Sequence, residues 1–172
     1  MKTYAALGNR EIGEMRYNFG EIAGSLAKKE YTLRTNGTLG TSQAFIDGAG
    51  IRKEIFLPWW KFNGLTYNSP AIPREAYHIA EICWEPEIVK NGEVIATADW
   101  PRLKRPTKKI MASNVLALLG EKLNSPVKFL ITYYEGEADG STIHVAKIAK
   151  KYDIPIYNLA NLEDLKKINK LK

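Results

Sequence analysis

"VKFLITYYEGEADGSTIHVAKIAKKYDIPIYNL", residues 127–159, decides the fold. Its first eight residues, "VKFLITYY", are β-branched, aromatic or apolar apart from Lys128, as a strand buried on both faces of a parallel sheet requires. "EGEADG" then breaks the run. Asp139-Gly140 suits a tight turn, and Ser141 or Thr142 suits the cap of a helix over 140–152. "IPIYNL" (154–159) reads as another strand. Strand, helix and strand in direct succession imply a crossover between parallel strands.

The same rhythm appears at the other end of the chain. "KTYAAL" (2–7) is a strand ending at Gly8, and Ile12, Met15, Phe19, Ile22, Ala23 and Leu26 follow at helical spacing. "YTLRTN" (31–36) is a strand, Ala44, Phe45 and Ala49 mark a helix that stops near "GAG", and "KEIFLPW" (53–59) is a third strand ended by Pro58 or just before it. This predicts an α/β fold with an open, mostly parallel sheet flanked by helices.

Residues 59–106 interrupt the alternation and hold all four tryptophans. "SPAIPREAYHIAEICW" predicts one helix with Ile79, Ile82 and Cys83 on its inner side, and the "NG" of "EIVKNGEVIATADW" predicts a hairpin. Residues 60–105 are therefore expected to be an insertion or lid after the third strand, too short for a core of its own. "PTKKIMASNVLALLG" (106–120) resumes the pattern. It has Pro106 at its start, Thr107 as a candidate cap, an apolar face of Ile110, Met111, Val115 and Leu118, and a stop at Gly120. An amphipathic helix over 160–172 completes a single domain spanning 1–172.

The net charge is +6 and the pI about 9.3, which favours anionic partners. A basic, solvated surface accounts for the charge equally well, since six lysines lie in the last 23 residues. The one cysteine, Cys83, sits among apolar residues and reads as a buried structural thiol. No apolar stretch reaches membrane-span length and no signal peptide is apparent, so a cytoplasmic protein without a membrane partner is expected.

Three loops follow strands, at the edge where open α/β sheets bind ligands. In "GNRE" (8–11), Gly8 permits close backbone approach and Arg10 suits a phosphate; a plain turn with a surface arginine fits as well. In "TNGTLGT" (35–41), backbone amides and the next helix start form an anion site, with Thr35, Asn36, Thr38 and Thr41 as side-chain donors. "EGEADGST" (135–142) offers Gly136, Asp139, Gly140, Ser141 and Thr142 for the same purpose, or simply for capping. After the third strand, Trp59 can stack a base and Asn63 read its edge; packing of the insertion is the other reading. Asn114 lies among apolar neighbours and needs a partner, either a buried hydrogen bond or a ligand. His78 and His144 lack neighbours at metal-ligand spacing; His144, two residues after the third loop, reads as a helix-surface residue, with facing that loop as the other reading. No metal or cofactor is expected. The only candidate catalytic groups are the carboxylates Glu135, Glu137 and Asp139.

"RTNGTLGTSQAFIDGA", "KEIFLPWWKFNG" and "MASNVLALLGEKLNSPVKFLITYYEGEADGSTIHVAKIAKKYDIPIYNLA" together resemble the characteristic blocks of the SLOG superfamily. These Rossmann-like proteins include the DprA/Smf DNA-processing proteins and the Lonely Guy-type enzymes; the likeness is to the short, phage-encoded DprA-like members. The resemblance runs from "ALGNREI" to Leu159 and implies a Rossmann-like nucleotide-binding fold. It places Gly8, Asn9 and Arg10 in the first loop of the family, Gly37 and Gly40 in the second, and Gly140 and Thr142 in the third. The chain departs from the family at Ser42, where an aspartate is usual, at Ser113-Asn114 in place of Arg-Asn, and at Lys147 in place of arginine. "ADGSTIHVA" also lacks the glutamate with which Lonely Guy enzymes cleave N-glycosidic bonds. The expected function is capture of a small phosphorylated or cyclic nucleotide, in a phage setting a host defence signal. Nucleoside-monophosphate N-glycosidase activity and DprA-like single-stranded DNA binding are the alternatives. The resemblance also implies a homo-oligomer.

Overall fold

The computed structural model describes residues 1–84, 87–96 and 98–171. In chain order the elements are β1 (Lys2–Ala6), α1 (Met15–Lys28), β2 (Tyr31–Thr35), α2 (Thr41–Gly48), β3 (Lys53–Ile55), α3 (Arg74–Ile82), β4 (Glu87–Lys90), β5 (Glu93–Ala96), α4 (Arg105–Leu119), β6 (Leu130–Thr132), α5 (Gly140–Lys151), β7 (Ile156–Asn158) and α6 (Leu162–Leu171). Five strands form one parallel sheet in the order β3-β2-β1-β6-β7. The fold is α/β and Rossmann-like, as expected from the sequence. The expected hairpin forms as a separate antiparallel pair, β4 with β5.

The period-2 alternation of a strand divides the core in two. From β1, Tyr4 and Ala6 face one way, and from the β6 segment Phe129, Ile131 and Tyr133 do the same. They pack with Phe19, Ile22 and Leu26 of α1, Phe45 of α2 and Ile168 of α6. Ala5, Leu7 and Leu130 face the other way, onto Ala76 and Ala80 of α3, Met111, Ala112 and the run Val115 to Leu119 of α4, and Val145 and Ile148 of α5. The central strands are thus buried on both faces. α1 crosses α2 so closely that a side-chain carbon on Gly48 would collide with the Gly20 carbonyl.

Several local expectations are corrected. The inner side of α3 is Ala76, Ala80 and Cys83; Ile79 is half-buried and Ile82 exposed, because the helix lies flat on α4 and admits small residues best. α4 starts at Arg105 with Lys104 before it, and Thr107 does not cap it. Asp139, not Ser141 or Thr142, caps α5 by accepting a hydrogen bond from the Thr142 amide at 2.7 Å. His144 is buried, not on the surface: its Nε2 lies 2.9 Å from the Ala80 carbonyl oxygen, and its Nδ1 has no partner among the described residues. Burial lowers its pKa to about 4, so the ring is neutral and its Nε2 carries the proton donated to that carbonyl. Cys83 is buried, as expected, and burial raises its pKa. Among the described residues no helix is long and apolar enough to cross a membrane.

Candidate functional site

In a parallel sheet each strand delivers the chain to the start of the next helix at its carboxyl end, so helix N-termini gather along that edge. The strand order reverses between β1 and β6, which makes the crevice outside those two strand ends the switch point of the sheet. The three glycine loops all reach it.

Asn9 joins them. Its side-chain oxygen accepts from the Asp139 amide at 3.1 Å and from the Thr142 hydroxyl at 2.9 Å, fixing the first loop to the third. Its carbonyl accepts from the Thr41 amide at 3.2 Å and the Thr41 hydroxyl at 3.0 Å, fixing the first loop to the second. The glycines are demanded by this closeness. A side-chain carbon on Gly8 would lie 2.7 Å from the Tyr133 nitrogen and 2.8 Å from the Thr41 hydroxyl. One on Gly40, whose φ is +80°, would collide with the Arg10 backbone. The Thr132 hydroxyl, buried beneath Gly8, has no partner among the described residues.

Other predicted donors serve the scaffold. Thr35 donates its hydroxyl to the Ala6 carbonyl at 2.8 Å, and Ser42 donates to the same oxygen at 3.2 Å. Asn36 is fully buried. It donates to Asn114 Oδ1 at 2.7 Å and Ser113 Oγ at 3.2 Å, and it accepts from the Thr38 amide and hydroxyl. Of the two readings left open for Asn114, the buried hydrogen bond is the one observed, and it pins the second loop to α4. Gly37 turns at φ +77°, with its carbonyl accepting from Asn63 Nδ2 at 3.0 Å. Asn63 thereby ties the segment after β3 to the second loop. The sequence pattern does not reveal this network, although an Asn among apolar residues on α4 is its visible signal.

The groups left facing outward at the edge are fewer. The guanidinium of Arg10 is exposed and the Ser141 hydroxyl half-buried, and neither has a partner among the described residues. The first turns of α2 and α5 add backbone amides, of which the Thr41 and Thr142 amides are already used. Gly140 begins α5, and Gly136 bends the third loop at φ +66°. A cleft of about 620 Å³ opens at the switch point, lined by Asn9, Glu11, Ile12, Gly13, Glu14, Met15, Tyr133 and Glu135. Its three carboxylates repel a phosphate but accept from sugar hydroxyls or a base amine.

The three candidate acids have distinct partners. Asp139 caps α5. Glu137 accepts from the Asn91 amide at the β4–β5 turn at 2.5 Å. Glu135 accepts from the Tyr133 hydroxyl at 2.5 Å, and that bond, with burial and the carboxylate charge, raises the tyrosine pKa to about 12. Of the three, Glu135 lines the switch-point cleft.

Beyond β3, Trp59 and Trp60 are 37% and 62% exposed, whereas Trp84 and Trp100 pack against each other and the second core cluster. Trp59 stands edge-on to the buried Phe62, with ring centroids 4.7 Å apart. Two adjoining clefts meet at Trp59 and Lys109: one of about 320 Å³ reaches Trp60 and Tyr77, and one of about 300 Å³ reaches Arg105 and Pro106.

No protein-family model matches the sequence, and no curated protein matches it. Among solved structures, the fold is similar to DNA processing protein A from Helicobacter pylori, a structure described for its single-stranded DNA binding mode. The TM-score is 0.57 at 17% identity, covering 91% of this chain and 64% of the other, so the chain spans less than two thirds of that neighbour's length. That likeness establishes the Rossmann-like fold shared with a DNA processing protein.

Proposed function

We propose that the chain binds a small phosphorylated or cyclic nucleotide at the carboxyl edge of its sheet. The observation that carries this reading is the junction at Asn9, which brings three loops and the starts of α2 and α5 to one crevice at the switch point. Arg10, Ser141 and the free amides of the two helix starts hold the phosphate, through a charged two-pronged contact and the positive helix ends. Glu135 and Glu11 in the adjoining cleft accept from the sugar or base. The likeness of the glycine loops to SLOG proteins agrees with this assignment, and a phage DprA-like protein sequestering a signalling nucleotide fits it. The assembly is proposed to be a homo-oligomer within the cytoplasm, with residues 60–105 as a lid.

Calorimetric titration with nucleoside mono- and diphosphates, ADP-ribose derivatives and cyclic dinucleotides tests the reading. Saturable heat with at least one of them, weakened in Arg10→Ala, is expected. Absence of heat across the panel refutes it.

A second reading, binding of single-stranded DNA, is favoured by the exposed Trp59 and Trp60 beside cations and by the DNA-binding neighbour. Its signature is affinity for oligonucleotides that falls steeply with added salt. A flat salt response removes it.

A further inference from the structure

We propose that the cleft between Trp59 and the first turn of α4 is a second nucleotide subsite, where a base stacks on the indole and its phosphate is held by Arg105 and Lys109. This subsite rests on the second reading above, which uses the same exposed Trp59, and it is lined by none of the loop residues joined at Asn9.

The charges at the start of α4 run the wrong way for a helix. The N-terminal turn of a helix favours acidic residues, because the backbone dipole is positive there. α4 has none in its first turn. From Trp100 to Asn114 the chain instead carries Arg102, Lys104, Arg105, Lys108 and Lys109 and no acid. Lys108 is accounted for, since its Nζ sits 5.8 Å from the centre of the Trp100 ring and donates to the Pro101 carbonyl. Arg105 and the half-buried Lys109 are not: neither has a hydrogen bond or ion pair among the described residues, Arg105 having only the Tyr77 phenol within electrostatic reach, and both line the cleft with Trp59. One turn apart on the helix, they point along the same face. Cations gathered at the positive end of a helix lack a counter-charge, and a bound anion supplies one.

Trp59 adds the second half of the ligand. An exposed indole is usually mobile, but this one is braced by Phe62, and the Asn63 bond to the Gly37 carbonyl anchors the segment. A braced aromatic face beside two cations is the combination that holds a nucleotide, by stacking for the base and charge for the phosphate. Along α4 the cleft lies close to the second loop. Lys109 lies one turn before Ser113, and Ser113 and Asn114 bind Asn36 of the second loop. A ligand spanning both places is a dinucleotide or a nucleotide strand; one filling this cleft alone is a free nucleotide.

The test measures affinity for thymidine monophosphate, the dinucleotide pdTpdT and a ten-residue oligothymidylate by calorimetry, alongside the quenching of tryptophan fluorescence. The proteins are wild type, Trp59→Phe, Trp59→Ala, Arg105→Ala, Lys109→Ala and Arg10→Ala, each checked for an unchanged circular dichroism spectrum. Lys109→Ala and Trp59→Ala are expected to weaken binding of the tightest ligand about tenfold, and Trp59→Phe to lose most of the quenching while remaining folded. Affinity rising with ligand length assigns the subsite to a strand; equal affinity assigns it to a free nucleotide. Unchanged affinity in Lys109→Ala, Arg105→Ala and both Trp59 variants, with loss in Arg10→Ala, overturns the subsite and leaves the loop site standing. No binding of any of the three ligands to wild type overturns the subsite, whereas the loop site stands or falls on the wider nucleotide panel.

Discussion

Asn9 holds Asp139 across 130 residues of chain: the Asp139 amide donates to the Asn9 side-chain oxygen at 3.1 Å, and Thr142 donates its hydroxyl to the same atom at 2.9 Å. That one oxygen shapes the mouth of the switch point. Replacing it by Asn9→Ala leaves a backbone amide and a hydroxyl unpartnered in a part-buried setting, at a cost of about 1–3 kcal/mol. Urea denaturation is expected to show that loss, and hydrogen exchange to show faster opening of the amides of residues 136–142 than of the β6 core.

Gly8→Ala probes how closely the loops approach. The added carbon would meet the Tyr133 nitrogen at 2.7 Å, backbone that cannot yield without moving β6. A loss of about 1–3 kcal/mol is expected from such overpacking. Gly136→Ala has open space around its side-chain position and costs only the strain of its positive φ, about 1 kcal/mol. Thermal unfolding of the two variants side by side checks the order.

Asn36 anchors the second loop to α4, and Asn36→Ala would strand Asn114 and Thr38 in a dry interior. A loss of about 1–3 kcal/mol in chemical denaturation is expected. A concurrent fall in nucleotide affinity follows if the loop geometry is what binds.

His144 ties stability to pH. Its folded pKa, about 4, lies below the value of about 6.5 for the unfolded chain. Between these values the unfolded state takes up a proton that the folded state refuses. The neutral ring therefore imposes no linkage penalty above about pH 6.5, and stability is lost as pH falls from there toward about pH 4. The shift corresponds to a loss on the order of 3 kcal/mol. His144→Gln is expected to flatten the difference in stability between pH 7 and pH 4.5, compared with wild type in the same buffers.

β6 (Leu130–Thr132), shorter than the run at 127–134 that announces it, is legible in the sequence because its three residues are buried on both faces, and burial on both faces demands an unbroken apolar, β-branched run in place of alternation. The glycine loops are legible as loops, but their donors are not legible as scaffold. Whether Asn36 or Thr41 faces a ligand or a neighbouring loop depends on contacts between distant segments, such as Asn36 with Asn114, which local spacing does not encode. The surface reading of His144 fails for a related reason. Its helix is rich in lysine and hydroxyl residues, and burial comes from α3 lying across it, an element separated by the whole of α4. Its spacing of four from the buried Ile148 is the sequence signal that points inward.

A nucleotide in the crevice outside β1 and β6 must perturb the backbone amides that surround it. Amide chemical-shift mapping of the labelled protein, titrated with the nucleotide that gives heat, tests its presence there most directly. Saturable shifts concentrated at residues 8–11, 39–43 and 139–142 are predicted. Shifts confined to other surfaces, or none with any nucleotide, would contradict the assignment.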